Sequence, residues 1–209
     1  MIELFIAASA ASVSMPTKAE PTVDPSNWIM ASDFPPINQA ISNITYELTL
    51  NRQGKPDRCT IVFSSSSAEL DAAVCGGAMK RARFRPAKDR NGAPAFFVRR
   101  ERVGFVADES QTGDYRNEDA DIVISLPEVP QNNSYLTEIL LTMAEDGTLS
   151  DCAIRQSNAE PALDKLACEV ASSPQIAAPI RDGNGNTVPG IRNYYVGFGN
   201  APTLGAISR

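Results

Sequence analysis

Residues 59–75 read C-T-I-V-F-S-S-S-S-A-E-L-D-A-A-V-C: a short apolar run, a serine cluster and the opening of an amphipathic helix, with a cysteine at each end. Residues 152–168 read C-A-I-R-Q-S-N-A-E-P-A-L-D-K-L-A-C and follow the same plan. The two stretches are offset by 93 residues. The same offset relates Gly54 to Gly147, Leu70 to Leu163, Asp71 to Asp164, Pro86 to Pro179, Gly92 to Gly185 and Phe105 to Phe198. A register held through turns, helix and strands marks a duplicated unit. The fold is therefore that of one repeat, built twice.

Working outward from Cys59, Ile44, Tyr46, Leu48 and Leu50 alternate with Thr45, Glu47, Thr49 and Asn51, the period-two pattern of a half-buried strand. Asn51-Arg52-Gln53-Gly54 is a turn in which glycine can take positive φ. A second strand over about 58–63 closes the hairpin, with Cys59, Ile61 and Phe63 on one face. Ser66 with Glu69 fits a capping box. Beyond it Leu70, Ala73, Val74, Gly77 and Ala78 form one helical stripe, repeated as Leu163, Leu166, Ala167, Val170 and Ala171. A turn at Asp89–Gly92 leads into a third strand over about 95–106, whose counterpart runs from Arg192 to Phe198. Each unit is predicted as strand, strand, helix, strand, an α+β fold with an antiparallel sheet and one helix on a face.

Composition shifts divide the chain into segments: 1–19, an extended Pro-rich lead-in over 20–43, a first domain over 44–107, an acidic linker over 108–121, a second domain over 122–200 and a tail over 201–209. In the lead-in, Trp28, Ile29 and Phe34 are candidates to dock on the first domain. Leu4 to Met15 has the length and small-residue content of a signal-peptide core, with cleavage expected near Ala8-Ser9-Ala10 or Thr17-Lys18-Ala19. It is too short to span a membrane, which takes about 20 apolar residues.

The four cysteines allow three connectivities. Equivalent positions in two copies of one fold should be bonded alike, which selects Cys59–Cys75 and Cys152–Cys168. Each bond closes a loop worth about 3 kcal/mol in the chain-entropy model, and disulfides imply an oxidising compartment. The alternative is two reduced, buried pairs. A zinc site fits poorly, because C-x-x-C spacing and histidine are both absent.

The chain has no histidine, which excludes Ser-His-Asp and Cys-His catalysis and imidazole metal ligation. Asp71 and Asp164 read as first-turn acids that stabilise a helix dipole, and Ser64–Ser67 as caps. No Gly-rich phosphate loop is present. We expect no enzyme, cofactor or metal. A net charge of −6 argues against a general nucleic-acid binder. Against that background Lys80, Arg81, Arg83, Arg85, Lys88, Arg90, Arg99, Arg100 and Arg102 crowd one short span, opposed only by Asp89 and Glu101. This is either a docking patch for an acidic peptide or an anionic envelope surface, or a solvated face partly neutralised by the linker.

Gly54, Ser64-Ser65, Leu70-Asp71, Arg83-Phe84-Arg85-Pro86-Ala87, Gly92 and Val103-Gly104-Phe105 resemble the C-terminal domain of TonB-type energy transducers. Gly147, Ser157, Leu163-Asp164, Pro179, Gly185 and Val196-Gly197-Phe198 resemble a drifted second member. The membrane helix and Pro-rich spacer of a full transducer are not found, and Ile176 and Ala177 stand where the first copy has Arg83 and Phe84. The resemblance implies a periplasmic module that binds an extended peptide or envelope protein by strand addition, with a link to transport across the outer membrane. The implied surface lies on the third strand of the first domain, with candidate contacts Arg83, Arg85, Phe96, Val98, Arg100 and Arg102. The competing reading is structural: the two repeats pack on each other, and a continuous sheet across them would favour it.

Overall fold

The structure is a computed structural model that describes residues 14–34, 42–105, 120–127 and 135–200. The expected signal-peptide core before Ser14, most of the acidic linker and the tail lie outside the described residues. In the first repeat the elements are β2 (Ser42–Leu50), β3 (Pro56–Phe63), α1 (Ala68–Arg81), β4 (Phe84–Arg85), β5 (Ala87–Lys88) and β6 (Pro94–Phe105), preceded by β1 (Glu20–Pro21). The second repeat follows as β7 (Ile122–Leu126), β8 (Tyr135–Met143), β9 (Leu149–Ser157), α2 (Pro161–Ala171) and β10 (Gly190–Asn200). Its β8, β9, α2 and β10 reproduce the predicted strand, strand, helix, strand order at the same offset. Both disulfides are formed, Cys59–Cys75 with Cα atoms 5.6 Å apart and Cys152–Cys168 at 5.9 Å.

The serine cluster explains why Leu-Asp recurs. Asp71 accepts from the Ser64 hydroxyl at 2.6 Å and from the Ser65 N–H at 3.0 Å, fixing the approach to α1. Asp164 does the same for α2, accepting from Ser157 at 2.6 Å and Thr137 at 2.8 Å. Burial works against the Asp71 charge, yet the Ser64 and Ser65 bonds hold its carboxyl below the ordinary value. The helix cap falls one residue later than the capping-box pattern predicts. Ser67 accepts from Leu70 N–H, while Ser66, at φ 69°, makes the preceding turn.

The two repeats do not form two sheets. Their strands join in the order β3-β2-β6-β10-β8-β9, in which every neighbouring pair is antiparallel except β6 and β10, which meet in parallel at the seam between the repeats. At that seam Gly190, Ile191 and Arg192 pair with Phe96, Phe97 and Val98. A Cβ on Gly190 would lie 2.6 Å from the Phe96 carbonyl oxygen, so only glycine lets the strands meet. Past Val98 the strands diverge. β7, an element the sequence patterning missed, pairs parallel with Val196–Asn200 of β10 instead.

Parallel pairing of two like units turns one over relative to the other. Ile44, Tyr46, Leu48, Leu50 and Phe97 form the core beneath α1, and Leu140 and Ile191 of the second repeat belong to that same core. Ile139, Leu141, Met143, Tyr194 and Val196 form the core beneath α2, joined by Val98 of the first repeat. Because neighbouring residues of one strand point to opposite faces, the helices lie on opposite faces of one sheet.

Each helix covers only half a face, and other segments cover the rest. The lead-in packs on the α1 face. Trp28 is fully buried, with its ring 5.1 Å from that of Phe84 and its indole N–H donating to Val23, and Ile29 and Phe34 lie against the same core. Further upstream, Thr17 bridges to Lys88, Ala19 is buried, and Lys18 donates to Glu138 of β8 at 2.8 Å. The segment expected to be removed or extended is, from Thr17 on, a strap across both repeats. On the other face, Ile180 after α2 is buried in the second core.

Candidate interaction surface

Strand β6 carries four of the candidate contact residues, and the fold uses all four internally. Val98 is buried and Phe96 partly buried, both in the core shared with α2. Arg100 donates to Glu47 on β2 at 2.7 and 3.2 Å, and its guanidinium sits 5.1 Å from the centre of the Tyr194 ring. Arg102 donates to the Ala120 carbonyl at 2.7 Å and lies 3.8 Å from Asp121. The expected peptide-receiving edge is thus closed by β10 over Phe96–Val98. Beyond it, Arg102 is tied to the chain that enters β7.

Glu47 is the centre of this closure. Its second carboxylate oxygen accepts from Arg192 of β10 at 3.1 Å, and Arg192 also donates to the Ala178 carbonyl at 2.7 Å. Burial alone would raise the Glu47 carboxyl, but Arg192 and Arg100 overcome it and hold it below the usual glutamate range. Nearby, burial raises the carboxyl of Asp121, which accepts from the Tyr195 N–H. Burial also raises Glu101, which is ion-paired with Arg99. Periodicity could not single out Glu47 or Arg192. Both read as polar positions on half-exposed strands, and nothing local shows that the other repeat covers them.

The hairpin turns are exchanged as well. Arg90, in the turn after β5, ion-pairs with Asp151 at the opening of β9. Gly183, the equivalent position in the second repeat, donates its N–H to Asp57 at the opening of β3 at 2.6 Å. Each repeat therefore plants one turn on the other.

Residues 41–100 match the family model described as Gram-negative bacterial TonB protein C-terminal. This segment is similar to the C-terminal domain of TonB proteins. The match runs from β2 through α1 to the middle of β6, ending at Arg100 where the ion pair with Glu47 forms. Neither a curated protein nor a solved structure matches the chain. TonB C-terminal domains are periplasmic protein-interaction modules. Among the described residues no helix is long and apolar enough to cross a membrane, and no group of three or more His, Cys, Asp or Glu could hold a metal ion.

Arg83 and Arg85 stand apart from the other candidates in the matched segment. Both are exposed, Arg85 on β4 and Arg83 just before it, on either side of buried Phe84. Of the nine cations in the basic span, Arg81, Arg90, Arg99, Arg100 and Arg102 are ion-paired to acids, whereas Lys80, Arg83, Arg85 and Lys88 have no such partner among the described residues.

Proposed function

We propose that this chain is a periplasmic protein-interaction module in which two TonB C-terminal-like repeats are joined edge to edge, one turned over relative to the other, and that it docks a partner on its outer surface instead of adding a strand to β6. The observation that carries this reading is the parallel pairing of Gly190–Arg192 with Phe96–Val98. A strand edge already hydrogen-bonded to another strand has no free N–H and C=O groups to offer. The Glu47–Arg192 ion pair supports the closure from the face of the sheet. Two disulfides and the TonB-type segment support an envelope location, reached with a cleaved leader. No step of chemistry is assigned.

The test is a backbone NMR titration of the oxidised chain with N-terminal peptides of outer-membrane transporters. We expect the amides of Phe96–Val98 and Gly190–Arg192 to stay protected from exchange and unshifted. Saturable shifts confined to β6, with loss of protection at Gly190–Arg192, would overturn the reading in favour of peptide capture by displacement of β10.

A further inference from the structure

Two exposed arginines of the first repeat stand at i and i+2, and further exposed cations lie on the elements that flank them. Arg85 projects from β4 and Arg83 from the residue just before it, on either side of buried Phe84, with one Arg83 N–H donated to the Ala82 carbonyl at 2.6 Å; two residues of extended chain span about 6.5 Å. Lys88 ends β5 and Lys80 lies in the last turn of α1, both exposed. Lys55 adds a further exposed cation from the hairpin turn, which packs against β4 through the Phe84 N–H donated to the Gly54 carbonyl at 3.1 Å.

The acids nearby are already engaged. Glu20, opposite Arg85 in the β1–β4 register, lies 3.9 Å from Arg155. Asp89 accepts the N–H groups of Asn91 and Ala93 within its own turn. The second repeat supplies an internal comparison. At the positions equivalent to Lys55, Lys80, Arg83 and Arg85 it has Thr148, Ser173, Ile176 and Ala178. There the segment packs inward, with Ile176 against the α2 core and the Ala178 carbonyl accepting from Arg192. Only Lys88 keeps a cationic counterpart, the exposed Arg181, so the outward cations Lys55, Lys80, Arg83 and Arg85 belong to the first repeat.

Resting on the reading above, we propose that these cations bind an extended acidic segment of a partner protein, with carboxylates at alternate residues facing Arg83 and Arg85. A peptide in extended conformation presents residues i and i+2 on one side at the same spacing as the arginines, and arginine pairs bidentately with carboxylate. A broad anionic membrane is the poorer fit. The chain carries −6 overall, and a broad surface meets acidic residues around the cations as well as the cations themselves. A short segment instead feels mainly charges within a Debye length of about 8 Å.

The test uses the full oxidised chain and a fluorescent peptide of alternating glutamate and threonine, followed by anisotropy and backbone NMR. We expect saturable, salt-weakened binding with shifts on residues 83–88, and about a tenfold loss in the R83E/R85E double variant. R181E, at the position equivalent to Lys88 in the second repeat, should bind unchanged, and the lysine version of the peptide should not bind. Amide protection at Phe96–Val98 reports that each variant is folded and that β6 is closed. No binding with that protection intact overturns the acidic-segment proposal alone. Binding that moves β6 overturns the proposed function too. Equal or stronger association with vesicles of phosphatidylglycerol in phosphatidylcholine assigns the cations to a membrane and overturns the peptide.

Discussion

Glu47 and Arg192 come from different repeats and form a buried ion pair at 3.1 Å, with Arg100 on the other carboxylate oxygen. The pair joins the two repeats across one sheet, on the face opposite α1. Replacing Glu47 by Gln leaves two guanidinium groups without a counter-charge in a site where Arg192 is only 8% exposed. We expect a loss of about 3 kcal/mol near neutral pH, measured by urea unfolding.

The same variant has a pH signature. The Glu47 carboxyl is held below its ordinary 4.5 in the folded chain, so its contribution is fully present above that value. It is lost as pH falls through the lower folded value, because the unfolded chain takes up the proton first. Asp121 and Glu101 are raised by burial and act with the opposite sign, costing stability as pH rises through their window. The stability difference between wild type and E47Q should therefore shrink on acidification below 4.5. A difference independent of pH down to complete unfolding would remove the ionic account.

Each disulfide links the second strand of its repeat to the helix across a 16-residue separation. The C59S/C75S and C152S/C168S double variants should each lose about 3 kcal/mol. Because the repeats share one sheet, unfolding should remain a single transition. Two resolved transitions in either variant would show that the repeats fold independently.

Lys18 is 16% exposed and its partner Glu138 only 5%. K18M keeps the stem that covers the sheet and removes the charge, so the expected cost is about 2 kcal/mol. A chain starting at Ser14 should match the full chain in stability, and one starting at Glu20 should fall below K18M, since it also loses buried Ala19. Mass spectrometry of the protein recovered from a periplasm is expected to find Lys18 retained, with leader cleavage nearer Ala10 than Ala19. A mature N-terminus at Glu20 with undiminished stability would show the strap to be dispensable.

Gly190 tests the seam. G190A places a methyl group against the Phe96 carbonyl and Ile180, which we expect to cost about 2 kcal/mol or more. Faster exchange should appear at Phe96–Val98. G92A, with positive φ but open space around it, should cost only about 1 kcal/mol through backbone strain. Equal effects in the two variants would mean that close approach at Gly190 carries no weight.

Much of this molecule was legible in order along the chain. The 93-residue offset carried the repeat, the hairpins, the helices and the pairing of the cysteines, because each depends on residues close in sequence. The Ser64–Asp71 and Ser157–Asp164 contacts were half legible. Ser64 reads from sequence as a helix cap, Asp71 and Asp164 as dipole acids and Ser157 only as part of the family resemblance, none of them as partners. Among the candidate contacts, Arg83 and Arg85 are outward, while Val98, Arg100 and Arg102 are consumed by the fold. Composition cannot tell a cation that meets solvent from one that meets Glu47 or the Ala120 carbonyl.

What the sequence by itself determined is the unit: two hairpin–helix–strand repeats, stapled alike, without the residues for imidazole chemistry. Local periodicity and turn residues encode that much, since they act over a few residues. Only the tertiary structure decided how the units meet. Whether β6 is an open edge or an inner strand depends on Gly190 reaching Phe96 across nearly half the chain, and on Glu47 and Arg192 finding each other from opposite repeats. Those contacts exist only once both repeats have folded, and no local pattern carries them.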